Sequence, residues 1–151
     1  MYGNILVPID GSETAKRGLN EAVSLAKSLG SRIRVIHVIN EAELLSPYTV
    51  GSTYPLVLRE VHDYGTSILH EAEETVRRAG IDVDTRLFEG HGISAGEQIL
   101  NTAAGWPADL IVCGTHGRRG IRRMLMGSDA EYVVRQSPVP VLLVRARESG
   151  R

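Results

Sequence analysis

The chain has 151 residues, with seventeen Lys and Arg facing eighteen Asp and Glu, and 42% of it is apolar. That length fits one domain with a real hydrophobic core, and the near-neutral balance argues against a general polyanion binder, so nucleic acid is not an expected partner. The lone cysteine, Cys113, excludes an intramolecular disulfide framework and any multi-cysteine metal site within one chain. The opening Met-Tyr-Gly-Asn-Ile-Leu-Val has no basic region ahead of a long apolar stretch, and no run is long enough to cross a bilayer. A soluble, cytoplasmic protein without membrane insertion is expected, built as one domain over residues 1–146 with a polar tail at 147–151. With one Phe, one Trp and five Tyr, its core should be aliphatic.

In chain order, residues 4–9 form a short β-branched apolar run and read as a strand. Ala15, Leu19, Ala22, Val23, Ala26 and Leu29 then recur at helical spacing, behind a cap at Ser12 and ahead of Gly30. A second strand spans 32–39. Residues 40–55 lack a period and contain Ser46-Pro47, Gly51 and Tyr54-Pro55, which predicts a loop, with partial helix as the alternative, long enough for a mobile flap beside a site. Val57, Val61, Ile68, Ala72, Val76 and Ala79 make a longer helical stripe ended by Gly80. A third strand covers 82–88. Ser94 with Glu97 resembles a capping box for a helix carrying Ile99, Leu100 and Ala103 up to Gly105-Trp106-Pro107. A fourth strand spans 109–113, a fourth helix starts near Gly127-Ser128 with Ala130, Val133 and Val134, and a fifth strand spans 139–144.

Strands alternating with helices imply an α/β fold: one mostly parallel sheet, right-handed crossovers and helices on both faces. Ligands then belong at the carboxyl ends of the strands, near the point where the strand order reverses. The first and fourth strands end in the two most distinctive loops, Pro8-Ile9-Asp10-Gly11 and Gly114-Thr115-His116-Gly117. The second continues through Arg118, Arg119, Arg122 and Arg123 to Met126-Gly127-Ser128. Glycines expose backbone N–H groups and a helix N-terminus presents unpaired donors, so this segment suits phosphate. There is no Gly-Lys-Ser/Thr loop, and the first strand is not followed by Gly-x-Gly-x-x-Gly.

Four segments in order resemble the universal stress protein family, and specifically its ATP-binding branch. They are Ile5-Leu6-Val7-Pro8-Ile9-Asp10-Gly11-Ser12, Ala108-Asp109-Leu110-Ile111-Val112, the glycine loop, and Ser137-Pro138-Val139-Pro140-Val141-Leu142-Leu143-Val144. The loop follows the family's Gly, two residues, Gly, nine residues, Gly, then Ser or Thr, with Gly114, Gly117, Gly127 and Ser128 at the defining positions. The resemblance implies a Rossmann-like three-layer sandwich with strand order 3-2-1-4-5. It also implies an ATP-binding regulatory protein of the stress response, cytoplasmic and homodimeric, with no defined catalytic reaction and unknown protein partners.

Asp10 suits hydrogen bonds from an adenine amino group or a ribose hydroxyl, and equally an Asx turn that caps the first helix; the resemblance favours the former. Pro8 and Val38 resemble the family's adenine-pocket wall, and each also fits ordinary strand-end packing. Gly114, Gly117 and Gly127 serve turns in most contexts, and here a phosphate cradle. Met126 packs on the nucleotide or in the core. Ser128 supplies a hydroxyl and an N–H to a terminal phosphate, or forms a capping box with Glu131. Asp129 places negative charge where a triphosphate would arrive; it points outward to complement the helix dipole, or joins a divalent cation such as Mg2+ lying between phosphates. His37, His62, His70, His91 and His116 show no compact metal-ligand spacing, and no metal site is predicted.

Two other classes compete. A phosphoacceptor receiver domain needs an acidic cluster after the first strand, an acceptor Asp after the third and a lysine after the fifth, where this chain has Asp10 alone, Phe88-Glu89-Gly90 and Arg145. A nucleotide-independent dimeric adaptor with a vestigial phosphate loop is kept open by Asp129. The last strand, Val139 to Val144, is apolar with Pro140 at a position suited to a sheet edge, and it is the expected homodimer surface.

Overall fold

A computed structural model of the chain describes residues 1–40, 54–90, 92–116 and 126–147. Strand β1 (Asn4–Pro8) leads to helix α1 (Glu13–Leu29) and β2 (Arg32–Ile39). Helix α2 (Tyr54–Arg78), β3 (Val83–Glu89), α3 (Ala95–Gly105), β4 (Leu110–Gly114), α4 (Ser128–Gln136) and β5 (Val141–Val144) follow. The five strands lie in the order β3-β2-β1-β4-β5, and every pairing is parallel. This is the α/β fold and the strand order expected above.

Local chemistry accounts for the element ends. Ser12 caps α1 by accepting the Ala15 N–H at 3.2 Å, and Gly30 ends it in the left-handed region at φ 70°. Ser94 caps α3 in the same manner, accepting the Glu97 N–H at 3.1 Å. Tyr54 and Pro55, at the end of the segment read as loop or partial helix, open α2; proline fits a first helical turn because its missing N–H has no intrahelical role there. Strand β5 starts at Val141 rather than Val139, because the Ser137 hydroxyl turns the chain on itself, accepting from Val139 N at 3.2 Å and donating to Val139 O at 2.7 Å.

The sheet is covered on both faces. Ile5, Val7, Ile33 and Val35 pack with Ala15, Leu19 and Ala22 of α1 and Leu69, Ala72 and Val76 of α2. Leu6, Ile36 and Ile111 point the other way, against Ile99 and Ala103 of α3 and Val133 of α4. Adjacent residues of β1 thus serve opposite cores, which is why that strand is apolar throughout. On the α3 side, Arg34 and Asp84 sit opposite each other in the β2–β3 register and make paired 2.7 Å hydrogen bonds, with the guanidinium 4.8 Å from the Trp106 ring centre. The hydrogen bond from Arg34 is the main cause that holds the Asp84 carboxyl below its ordinary value.

Candidate functional site

The strand order reverses between β1 and β4, and a cavity of about 650 Å³ opens at the carboxyl ends of the strands there. Pro8, Ile9 and Asp10 line it from the end of β1, His37, Val38 and Ile39 from β2, and Cys113, Gly114 and His116 from β4. Helix α2 adds Glu60, Val61 and Tyr64, and the first turns of α3 and α4 add Ala95, Ile99 and residues 126–130. One side is apolar; the other gathers backbone at helix starts.

Three helix N-termini converge here, and their first turns differ. In α1, Ser12 accepts the Ala15 N–H while Asp10 Oδ1 accepts the Ser12 N–H at 2.9 Å. In α3, Ser94 takes the Glu97 N–H, and Asp129 Oδ1 reaches across from α4 to take the Gly96 N–H at 2.9 Å. Helix α4 is preceded by Gly127, which has no side chain to give, and its start carries no side-chain cap. Its first backbone bond runs from Glu131 N to Gly127 O at 2.9 Å, so the N–H groups of Ser128, Asp129 and Ala130 lie ahead of the ladder. An anion is suited to that position through both the donors and the dipole.

The β4 end and the α4 start are tied by the Gly127 N–H, which donates to Thr115 O at 2.7 Å. Gly114 packs so tightly on α1 that an added Cβ would lie 2.8 Å from the Thr14 hydroxyl oxygen. That hydroxyl donates to the His116 carbonyl. His116 Nδ1 lies 2.8 Å from the Thr115 hydroxyl, while its Nε2 is buried and has no hydrogen-bond partner among the described residues.

Eight of the residues singled out from sequence, Pro8, Asp10, Val38, Gly114, Met126, Gly127, Ser128 and Asp129, line this one cavity. Gly117 and the arginines at 118, 119, 122 and 123 lie outside the described residues, as do residues 41–53 of the predicted flap. Two local readings are corrected. Ser128 is the first helical residue rather than the cap, and Glu131 pairs with Arg135 at 2.7 Å, so no Ser128–Glu131 capping box forms. Asp129 is exposed, yet it does not serve only its own helix: its carboxylate also accepts the Gly96 N–H and so joins two helices. The Asx turn at Asp10 is present, and Asp10 also lines the cavity.

A family model described as the universal stress protein family matches residues 1–145. The chain belongs to that family. The universal stress protein YxiE of Bacillus subtilis is 32% identical over 96% of this chain and all of its own length. The solved universal stress protein UspA from Lactobacillus plantarum superposes with a TM-score of 0.82 at 25% identity, covering 95% of this chain and 98% of that one. The universal stress protein from Archaeoglobus fulgidus, solved in complex with dAMP, has a TM-score of 0.64 at 24% identity, over 95% of this chain and 98% of that one, and speaks to the fold.

Several residues of this universal stress protein's cavity were not picked out from sequence. Tyr64 falls in the gap between Val61 and Ile68 in the α2 stripe, so the helical period held the signal. Tyr64 donates its hydroxyl to the Asp10 carbonyl at 3.4 Å and closes over Gly11, where an added Cβ would meet the Tyr64 oxygen at 2.0 Å. His37 is buried with Nδ1 at 2.8 Å from the Ile9 carbonyl; a carbonyl only accepts, so the proton is on Nδ1. Nothing in the β2 sequence distinguishes it from a strand histidine facing solvent. Among the described residues no cluster of His, Cys, Asp and Glu is arranged for a metal ion, and no helix is long and apolar enough to cross a membrane.

Proposed function

We propose that this universal stress protein binds an adenine nucleotide, ATP, in the cavity between β1 and β4. It then acts as a nucleotide-dependent regulatory module through protein partners in the cytoplasm. The observation that carries the reading is the α4 N-terminus, which has no side-chain cap and opens on a cavity whose far wall is apolar. Gly114, Gly127 and Ser128, with Gly117 by resemblance, are the phosphate-holding residues. Pro8, Val38 and Met126 are the apolar contacts of the base, and Asp10 is the polar one. His116 adds a buried ring nitrogen without a hydrogen-bond partner among the described residues. When bound, ATP supplies the signal: a ligand that favours one state shifts the population toward it. No reaction is proposed.

Homodimerisation through the last strand is part of the proposal. Strand β5 ends the sheet with β4 as its neighbour, and Leu142 is 37% exposed. Pairing two such edges about a twofold axis would cover both. Sedimentation at micromolar concentration should give a dimer; a monomer rejects it.

The test of nucleotide binding is the purified protein, with and without Mg2+, assayed for nucleotide released on denaturation and for thermal stabilisation by ATP. Ligand at a hundred times its Kd should stabilise by about 2.7 kcal/mol. Gly127→Val should abolish the shift and leave the fold intact, since Gly127 sits at φ −59° and ψ 152°, open to any residue. A protein with neither co-purified nucleotide nor an ATP-dependent shift is instead the nucleotide-independent adaptor, which the Asp129 carboxylate at the phosphate end favours.

A further inference from the structure

Asp129 holds a position that the phosphate-binding reading alone does not explain. It lies in the first turn of α4, lines the cavity, and accepts the Gly96 N–H of α3 at 2.9 Å. The α3 and α4 starts are also pressed together beside it. An added Cβ on Gly96 would lie 2.8 Å from the Tyr132 ring, so the backbone of one helix rests on a side chain of the other. The carboxylate is thereby anchored at the mouth of the α4 N-terminus. Although the residue is exposed, its short side chain and the Gly96 hydrogen bond hold the charge at that place.

We propose that Asp129 is a specificity-determining residue that sorts nucleotides by phosphate charge, penalising ATP relative to AMP when no divalent cation is present. The inference rests on the nucleotide-binding reading above. The donors open to an anion are the N–H groups of Ser128, Asp129 and Ala130, one of them on the same residue as the carboxylate. A phosphate held there shares its surroundings with a fixed like charge. At a partly solvated site a like charge roughly 6 Å away costs about a factor of ten in affinity. A single phosphate has freedom to settle on the donors away from the carboxylate. A polyphosphate chain brings more charge through the same opening and has less freedom to avoid it. The hydrogen bond to Gly96 gives the charge a second role, closing the α3 N-terminus so that it offers no rival anion position.

The two roles separate by substitution. In Asp129→Asn the amide oxygen still accepts the Gly96 N–H while the charge is gone; in Asp129→Ala both are lost. AMP and ATP affinities are measured by calorimetry in chelator-containing buffer for the intact protein and both variants, with amide hydrogen exchange at Gly96 followed alongside. The expected result is that Asp129→Asn tightens ATP by about tenfold more than AMP, with Gly96 protection retained. Asp129→Ala should lose protection at Gly96, a structural effect that Asp129→Asn does not share. If both nucleotides bind and Asp129→Asn leaves their ratio unchanged, the sorting role is overturned while nucleotide binding stands. If neither nucleotide binds the intact protein or the Asn variant, the nucleotide reading itself has failed, and this inference with it.

Discussion

The segments after β1 and β4 share a sequence pattern, glycines lying between a strand and a helix, yet their described polar groups are used in opposite ways. After β1 the chain closes on itself: Asp10 takes the Ser12 N–H, Ser12 takes the Ala15 N–H, and Tyr64 covers Gly11. After β4 the helix begins at Ser128 behind Gly127, and among the described residues no side chain caps its start. The difference teaches that the first loop spends its polar groups within the chain, whereas the start of α4, among the described residues, has no side-chain cap.

Gly11→Ala should test the first half of that contrast most severely. Its φ is 85°, unfavourable for any residue with a Cβ, and the Cβ would meet the Tyr64 hydroxyl at 2.0 Å. A loss of about 2 kcal/mol or more is expected in urea denaturation. A loss under about 0.5 kcal/mol would mean that Tyr64 moves aside at little cost, and that the loop is not closed as described.

A matched pair of serine deletions sharpens the comparison. Ser12→Ala removes a cap and should cost about 1 kcal/mol. Ser128→Ala removes no cap and should stay within about 0.5 kcal/mol of the parent in the same experiment. Equal losses would show that the two helix starts are alike after all. Ser128→Ala should nonetheless weaken the ATP-dependent thermal shift, a change that Ser12→Ala leaves small.

A smaller effect reports on the floor of the second loop. Cys113 is buried directly before Gly114, and burial pushes its thiol up from 9.0 to about 11. The thiolate fraction at pH 8 is then roughly a hundredfold lower than in the unfolded chain, so alkylation should be slow when folded and fast in urea. The proton is held more tightly in the folded state. The corresponding stability is therefore complete below the ordinary value and is lost as pH rises from 9.0 toward about 11. A Cys113→Ser variant should lack that alkaline loss, followed by denaturation midpoints across the same range.

Much of the fold was legible because its signals are local. The apolar runs, the Ser12 and Ser94 caps and the terminating Gly30 each act within a few residues, where backbone sterics and hydrogen-bond reach leave few alternatives. The site was legible in part. The described residues picked from sequence come from four separate segments, and the sheet brings them to one cavity. Tyr64 was hidden in an unfinished helical stripe, and His37 in a strand whose burial depends on its neighbours. The Ser128–Glu131 capping box failed for a local reason: Gly127 occupies the cap position, one residue earlier, and Glu131 is drawn to Arg135.

By itself, then, the sequence determined the order of strands and helices, the Ser12 and Ser94 caps and the composition of the two loops, because these follow from periodicity and contacts between near neighbours. Tertiary structure alone decided which of those groups remain available. Asp129 meets Gly96 thirty-three residues away, and Tyr64 meets Asp10 across fifty-four. Such contacts depend on how the crossovers stack the helices on the sheet, and no local pattern records that. The open start of α4 and the charge anchored beside it are products of that stacking.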